Sequence, residues 1–311
     1  MALGAQCPWG GPACTDVTLI EIIEQQSARL TQAGVSFGHG TTNAFDEAAW
    51  LVLWQLGLPL DEIDAVAERE LTAAESAGIQ ALVEQRIATR QPAAYLTHEA
   101  WLQGVAFYVD ERTIVPRSLI AEVLADGTAD AWLPVPTRQV LDLCTGNASL
   151  AVLAALAWPD VTIDAADLSA DALAVARINV ERHGLAGRID LHQGDGLAAV
   201  AGRRYDAILC NPPYVNDAAM LALPAEYRAE PRIALAGGID GMDFIRTLIA
   251  RAPDHLSAHG VLVLEVGHER AHFEAAFPTL ESVWLPTSAG EDQVLLFTRE
   301  ALAQGARTIR S

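Results

Sequence analysis

The chain has 311 residues, 51% of them apolar, and a formal net charge of −20 from 40 acidic and 20 basic residues. This length suits two domains, and with no apolar run as long as a membrane span and no charged-then-apolar leader, a soluble cytoplasmic protein is predicted. Every basic residue is arginine, which excludes Schiff-base chemistry and the lysine of a phosphate-binding P-loop; the acidic excess argues against a nucleic-acid partner and suits a basic protein partner, steered by charge.

Residues 1–16 are rich in Gly, Pro and Cys without periodicity and are predicted to be a loose end. Helical signals follow. Thr18 with Glu21 forms a capping box ahead of Leu19, Ile22, Ile23 and Leu30 on one face. Asn43 precedes Asp46 and Glu47 and an apolar run that stops at Gly57, and Thr72 with Glu75 opens a third helix carrying Ile79, Leu82, Val83 and Ile87. Residues 17–90 therefore read as a small helical domain that positions a substrate or covers the site. Residues 91–115 read as a β-hairpin linker, with strands Trp101–Val109 and Thr113–Val115 around a turn at Asp110-Glu111.

From Gln139 strand and helix alternate, the mark of a mostly parallel sheet covered on both faces. Strands are predicted at Gln139–Leu143, Val161–Ala166, Arg188–His192, Tyr205–Cys210 and Val261–Val266, and an antiparallel pair at Ser282–Leu285 and Gln293–Thr298. These make a doubly wound, mostly parallel seven-stranded α/β sheet over residues 116–299, with 300–311 as a tail. The cysteines (Cys7, Cys14, Cys144, Cys210) show no CxxC pairing, which suits reduced thiols.

Ligands of open α/β sheets bind at the carboxyl ends of the strands, so the strand tips are the candidate site. The first tip, Asp142-Leu143-Cys144-Thr145-Gly146-Asn147-Ala148, is a glycine-containing turn into a helix, where backbone N–H groups can meet a ligand. It lacks a G-x-G-x-x-G, so no dinucleotide site is indicated. The second tip carries Asp167, placed to grip ribose hydroxyls, with Ser169 as a helix cap; the third carries Asp195, able to accept from an adenine amino group. The fourth is Asn211-Pro212-Pro213-Tyr214, a rigid corner that offers an amide, a free Pro212 carbonyl and an aromatic ring to a planar polar group. Each tip also has a plain structural reading as a turn or cap. His255/His259 and His268/His272 are i,i+4 pairs without an evident third ligand, and no metal is expected.

These four tips in this order resemble the S-adenosylmethionine-dependent methyltransferases, whose fold is Rossmann-like. The helical N-terminal domain, Val115-Pro116-Arg117, the Asn-Pro-Pro-Tyr corner and Glu230-Pro231-Arg232-Ile233-Ala234-Leu235 resemble the protein N(5)-glutamine methyltransferases over residues 17–299. Within that family Val-Pro-Arg-Ser at 115–118, Asp-Leu-Cys-Thr-Gly at 142–146 and Cys-Asn-Pro-Pro-Tyr-Val-Asn at 210–216 are similar to the branch that modifies ribosomal protein L-three. The resemblance implies S-adenosylmethionine as cofactor, bound by Asp142, Cys144, Thr145, Gly146, Asp167, Asp195 and Asn211. It implies a glutamine amide held by Asn211, Pro212, Pro213 and Tyr214, with Asn211, Pro212 and Tyr214 in catalytic roles. The family's further turn glycines are replaced here by Asn147 and Ala148; asparagine tolerates left-handed φ and is expected to keep the turn, whereas Ala148 weakens binding if its position needs φ > 0. Glutamine methylation of release factors, adenine-N6 methylation of nucleic acid and a non-catalytic ribosome-assembly role stay open as alternatives.

Overall fold

The computed structural model describes residues 14–310, which form two compact units: the chain up to His98 together with Pro224–Ala229, and Glu99–Leu223 with the chain from Glu230 on. Most of the expected loose end lies outside the described residues; its last residues begin a strand. In the first unit the elements are β1 (Cys14–Thr18), α1 (Leu19–Gln32), α2 (Ala44–Leu56), α3 (Ile63–Val66), β2 (Glu70–Thr72), α4 (Ala73–Thr89) and α5 (Ala93–Thr97). β1 and β2 pair antiparallel, a small sheet that periodicity did not reveal.

The predicted caps form as read. Thr18 and Thr72 make complete capping boxes with Glu21 and Glu75, Asn43 accepts from the Asp46 N–H, and Gly57 ends α2 in the left-handed conformation. The apolar stripes meet in a core that includes Leu19, Ile22, Leu51, Leu53, Ile79 and Val83. Inside it lies Arg86, fully buried, whose guanidinium donates to Glu47 at 2.9 Å, Glu226 at 3.3 Å and the Ser36 carbonyl at 3.0 Å.

In the second unit β3 (Ala100–Leu102) and β4 (Val105–Phe107) form the hairpin, so the turn is Gln103-Gly104 and not Asp110-Glu111. Both turn residues have positive φ, +50° and +72°, as a two-residue hairpin turn demands, and Gly104 carries this without steric cost. Asp110 makes a different turn: its carboxylate accepts from the Arg112 backbone and guanidinium and from the Tyr108 hydroxyl. Residues 91–98, expected within the linker, belong to the helical unit through α5.

The chain continues through α6 (Ile120–Ala125), β5 (Gln139–Leu143), α7 (Ser149–Ala157), β6 (Thr162–Asp167), α8 (Ala170–Arg182), β7 (Ile189–Gln193), β8 (Tyr205–Cys210), α9 (Asp217–Ala222), α10 (Ala225–Arg228), α11 (Asp243–His255), β9 (Leu256–Glu265), α12 (Arg270–Ala276), β10 (Val283–Thr287), β11 (Gly290–Thr298) and α13 (Arg299–Arg310). Residues 300–311, expected as a tail, therefore hold most of a helix. The seven-stranded sheet has the order β10-β11-β9-β8-β5-β6-β7, with β5 to β9 parallel and β11 antiparallel to both of its neighbours.

Side chains alternate across this sheet. Val140, Ala207 and Val261 face the core under α6, α7 and α8, whereas Leu141, Ile208 and Leu262 face the one under α11 and α12. Burial on both faces is why the strands read as apolar runs. The strand order reverses between β5 and β8, where Leu143 pairs with Cys210, so the turn after β5 and the corner after β8 lie side by side at the switch point. No described helix is long and apolar enough to cross a membrane.

Candidate active site

The turn after β5 is built on Asp142. Its Oδ2 accepts from the Thr145 hydroxyl at 2.5 Å and from the Ala151 N–H in the first turns of α7 at 3.0 Å, tying the strand end to the helix start. Only 1% of this residue is exposed, and burial pushes its carboxyl up to about 7; the two hydrogen bonds oppose that shift and the charge of Asp167 adds to it. Positive φ falls at Cys144, Gly146 and Ala148, at +62°, +56° and +64°, and not at Asn147. The expectation that Asn147 keeps the turn is therefore corrected: the left-handed residue is Ala148, fully buried, at a position that glycine would occupy without strain. Asn147 instead accepts from the Ser149 N–H through Oδ1, and its Nδ2 is buried with no hydrogen-bond partner.

Asp167, at the tip of β6, takes the Gly146 N–H on Oδ2 and the Ser169 N–H on Oδ1, both at 2.9 Å. Each oxygen keeps a lone-pair direction for a ligand donor. Burial raises its carboxyl above the usual range, and the backbone donors oppose that shift.

A cleft of about 130 Å³ runs along this edge. Asp167 and Asp195 supply its carboxylates, Asp195 on the exposed rim, and Leu168, Ile233 and Phe244 its apolar walls. A smaller lobe of about 30 Å³ is lined by Asp142, Thr145, Asn147, Arg117 and Ser118. Ile114, Cys144, Gly146 and Asn211 line both. The Asn211 amide thus stands at the junction of the two spaces, and no described residue bonds to its side chain.

Three glycines hold the corner. A Cβ on Gly237 would lie 2.8 Å from the Pro213 carbonyl oxygen, one on Gly241 2.1 Å from the Tyr214 carbonyl oxygen, and one on Gly267 2.4 Å from the Tyr214 ring. Val215 bridges to Ala236 in parallel, and Asn216 caps α9 while donating to Glu269 at 2.7 Å. Pro212 is buried. Pro213 lines the larger cleft. The Tyr214 ring does not wall either space: its hydroxyl donates to Glu265 Oε1 at 3.3 Å, and burial, reinforced by the Glu265 charge, pushes its phenol up.

Of two further buried carboxylates, Glu230 was noted in the sequence only as the first residue of a motif, and Glu265 was not singled out. Glu230 accepts two bonds from Arg117, at 2.6 and 2.7 Å, and one from the Val115 N–H at 2.9 Å. Glu265 ends β9 and takes the Ser118 hydroxyl at 2.6 Å and the Leu119 N–H at 2.9 Å. Of the histidine pairs, His255 ends α11 while His259 lies in β9, so that pair shares no helix; His272 bonds to Glu269.

Residues 121–226 match the family model described as methyltransferase small domain, and residues 21–97 match the PrmC N-terminal domain. A ribosomal protein uL3 glutamine methyltransferase from Bordetella pertussis is 53% identical over 287 residues, covering 92% of this chain and 96% of that protein. Proteins of the same name from Burkholderia pseudomallei, at 52% identity over 90% of this chain and 94% of theirs, and Neisseria gonorrhoeae, at 46% over 92% and 95%, are also similar. Among solved structures, a methyltransferase from Pyrococcus furiosus aligns with 71% of this chain and 97% of its own, at 18% identity and a TM-score of 0.46.

Proposed function

This chain belongs to the family of ribosomal protein uL3 glutamine methyltransferases, and from that premise we propose that it transfers a methyl group from S-adenosylmethionine to a glutamine side-chain nitrogen of ribosomal protein uL3. The observation that carries the reading is the Asn211 amide, unbonded at the junction of the two lobes on the switch-point strand.

The residues of the cleft fit such a cofactor. Asn147 Nδ2 is a buried donor without a partner, and a Cβ on Gly146 would meet no atom within 4 Å, so that turn faces open space. Asp167 would hold the ribose hydroxyls and Asp195 the adenine amino group, with Phe244 and Ile233 as apolar walls. Cys144, Thr145 and Gly146 would follow the amino-acid end, with Asp142 organising their turn. When bound, S-adenosylmethionine supplies an electrophilic methyl on a sulfonium.

At the corner, Asn211 Oδ1 and the Pro212 carbonyl would each accept one hydrogen of the glutamine amide. A carboxamide nitrogen is a weak nucleophile because its lone pair is delocalised, so orientation is the main service these residues perform. Proline at 212 fixes its own φ and has no N–H, which leaves its carbonyl preset as an acceptor. No side chain need remove a proton first, since the amide grows acidic only once the methyl has moved. The helical unit is assigned to substrate recognition. A net charge of −20 favours encounter with a basic partner, and a ribosomal substrate places the reaction in the cytoplasm.

Transfer of a labelled methyl to purified uL3, with a release factor alongside, tests this. The wild type is expected to label uL3, and Asn211→Ala to lose about a hundredfold or more in rate. Undiminished labelling by Asn211→Ala, or labelling of the release factor alone, refutes the reading.

A further inference from the structure

Glu265 has no part in the chemistry above, yet three donors from two separate segments converge on it. Oε2 takes the Ser118 hydroxyl at 2.6 Å and the Leu119 N–H at 2.9 Å, and Oε1 takes the Tyr214 hydroxyl at 3.3 Å. The residue is 4% exposed. A carboxylate so buried is costly unless its lone pairs are filled, and here both oxygens are engaged.

The two segments it joins both border the smaller lobe. Ser118 lines that lobe directly, and Tyr214 is three residues beyond Asn211, which lines it from the other side. Gly267, at φ +53°, sits against the same tyrosine: a Cβ there would come within 2.4 Å of the ring and 2.9 Å of its hydroxyl. The ring is therefore held by the hydrogen bond it donates to one residue and by the missing side chain of another, two positions along the chain. A glutamine at 265 could keep both links, its oxygen accepting from Ser118 and Leu119 and its amide N–H donating to the Tyr214 oxygen, whereas a leucine would keep neither.

We propose that Glu265 is the positioning residue of the substrate corner: by accepting from Tyr214 and Ser118 together, it locks the Asn211–Tyr214 corner and the 116–119 turn into one wall of the smaller lobe. Gly267 completes that seat. Tyr214 then serves the reaction from behind the corner, as a strut that keeps the Asn211 and Pro212 acceptors in place, and not as a ring laid against the substrate. Glu265 touches no reacting atom and acts through Tyr214. The inference rests on the assignment of the corner to the glutamine amide.

The test is a double-mutant cycle of Glu265→Leu and Tyr214→Phe, read as kcat and KM for uL3 and as the calorimetric Kd for S-adenosylmethionine. Each single variant is expected to lower kcat about ten- to a hundredfold with KM and Kd within about threefold, and the double variant to be no slower than the slower single. Wild-type kcat in Glu265→Leu, or losses that multiply in the double variant, overturn the proposal. Should Glu265→Leu fail to fold, Gly267→Ala takes its place against Tyr214→Ala: once the ring is gone, the added methyl is expected to cost much less in kcat than it does in wild type, with only the strain of φ +53° left, and fully multiplying losses again overturn the proposal. If the wild type does not methylate uL3, the substrate reading fails, and the thermal midpoints of the same four proteins decide the positioning: non-additive midpoints support it and additive ones overturn it.

Discussion

Replacing Asp142 by asparagine should stabilise the catalytic unit above neutral pH, even though the residue lies at the centre of the site. Its carboxyl titrates near 3.8 in the unfolded chain and at about 7 in the buried site. The folded state therefore holds a proton that the unfolded state has released. Stability linked to this group is complete below the unfolded value and is lost as pH rises toward 7, costing on the order of 4 kcal/mol at pH 8 and less than half of that at pH 5. Asparagine escapes this cost, because both hydrogen bonds to the carboxylate fall on Oδ2, at 2.5 and 3.0 Å, and an amide oxygen can accept both. The stability advantage of Asp142→Asn over wild type should thus grow by about 2–3 kcal/mol between pH 5 and pH 8, or about 5–10 °C in thermal midpoint. Melting both proteins at the two pH values and comparing the differences cancels the other titrating groups. A difference that does not change with pH, or an Asp142→Asn less stable than wild type at pH 8, refutes the reasoning.

Ala148, at φ +64° and fully buried, should tolerate only glycine. Ala148→Gly relieves a left-handed alanine but loses a buried methyl and frees the unfolded chain, so its stability should stay within about 1 kcal/mol of wild type. Ala148→Val should lose about 3 kcal/mol or more, read by denaturant unfolding, since a branched side chain suits neither the φ nor the space. Gly241→Ala places a Cβ 2.1 Å from the Tyr214 carbonyl oxygen at φ +79°, and methyl transfer should fall by about a hundredfold as the corner shifts. Arg86→Met strands Glu47 and Glu226 in the helical core and should cost about 3–5 kcal/mol. Glu47, already pushed up by burial, is then expected to protonate, which a midpoint that rises on acidification would reveal.

How much of this was legible varied with the distance over which each feature is decided. The caps at Thr18, Asn43 and Thr72 formed as read because each depends on residues three apart in the chain. The inner strands β5, β8 and β9 were legible because strands buried on both faces read as apolar runs. The corner after β8 was legible because two prolines admit few conformations. The hairpin was misplaced because Asp110-Glu111 and Gln103-Gly104 are both acceptable turns locally, and the choice lay with which flanking residues could pair. The left-handed alanine was legible only as a condition, because an alanine carries no local signal for φ +64° and Asn147 beside it tolerates that conformation better.

By itself the sequence determined the alternating strands and helices, the caps, and the placement of a turn, two carboxylates and an Asn-Pro-Pro-Tyr corner at successive strand ends, since each is governed by neighbours in the chain. Only the tertiary structure decided what stands behind them. Glu265 meets Ser118 across 147 residues of sequence and Glu230 meets Arg117 across 113, while Gly237, Gly241 and Gly267 all have the corner laid against them. A carboxylate or a glycine carries no mark of its partner until folding removes the water between them, and it is the partner that turns a solvated charge or a flexible link into the rigid back wall of a site.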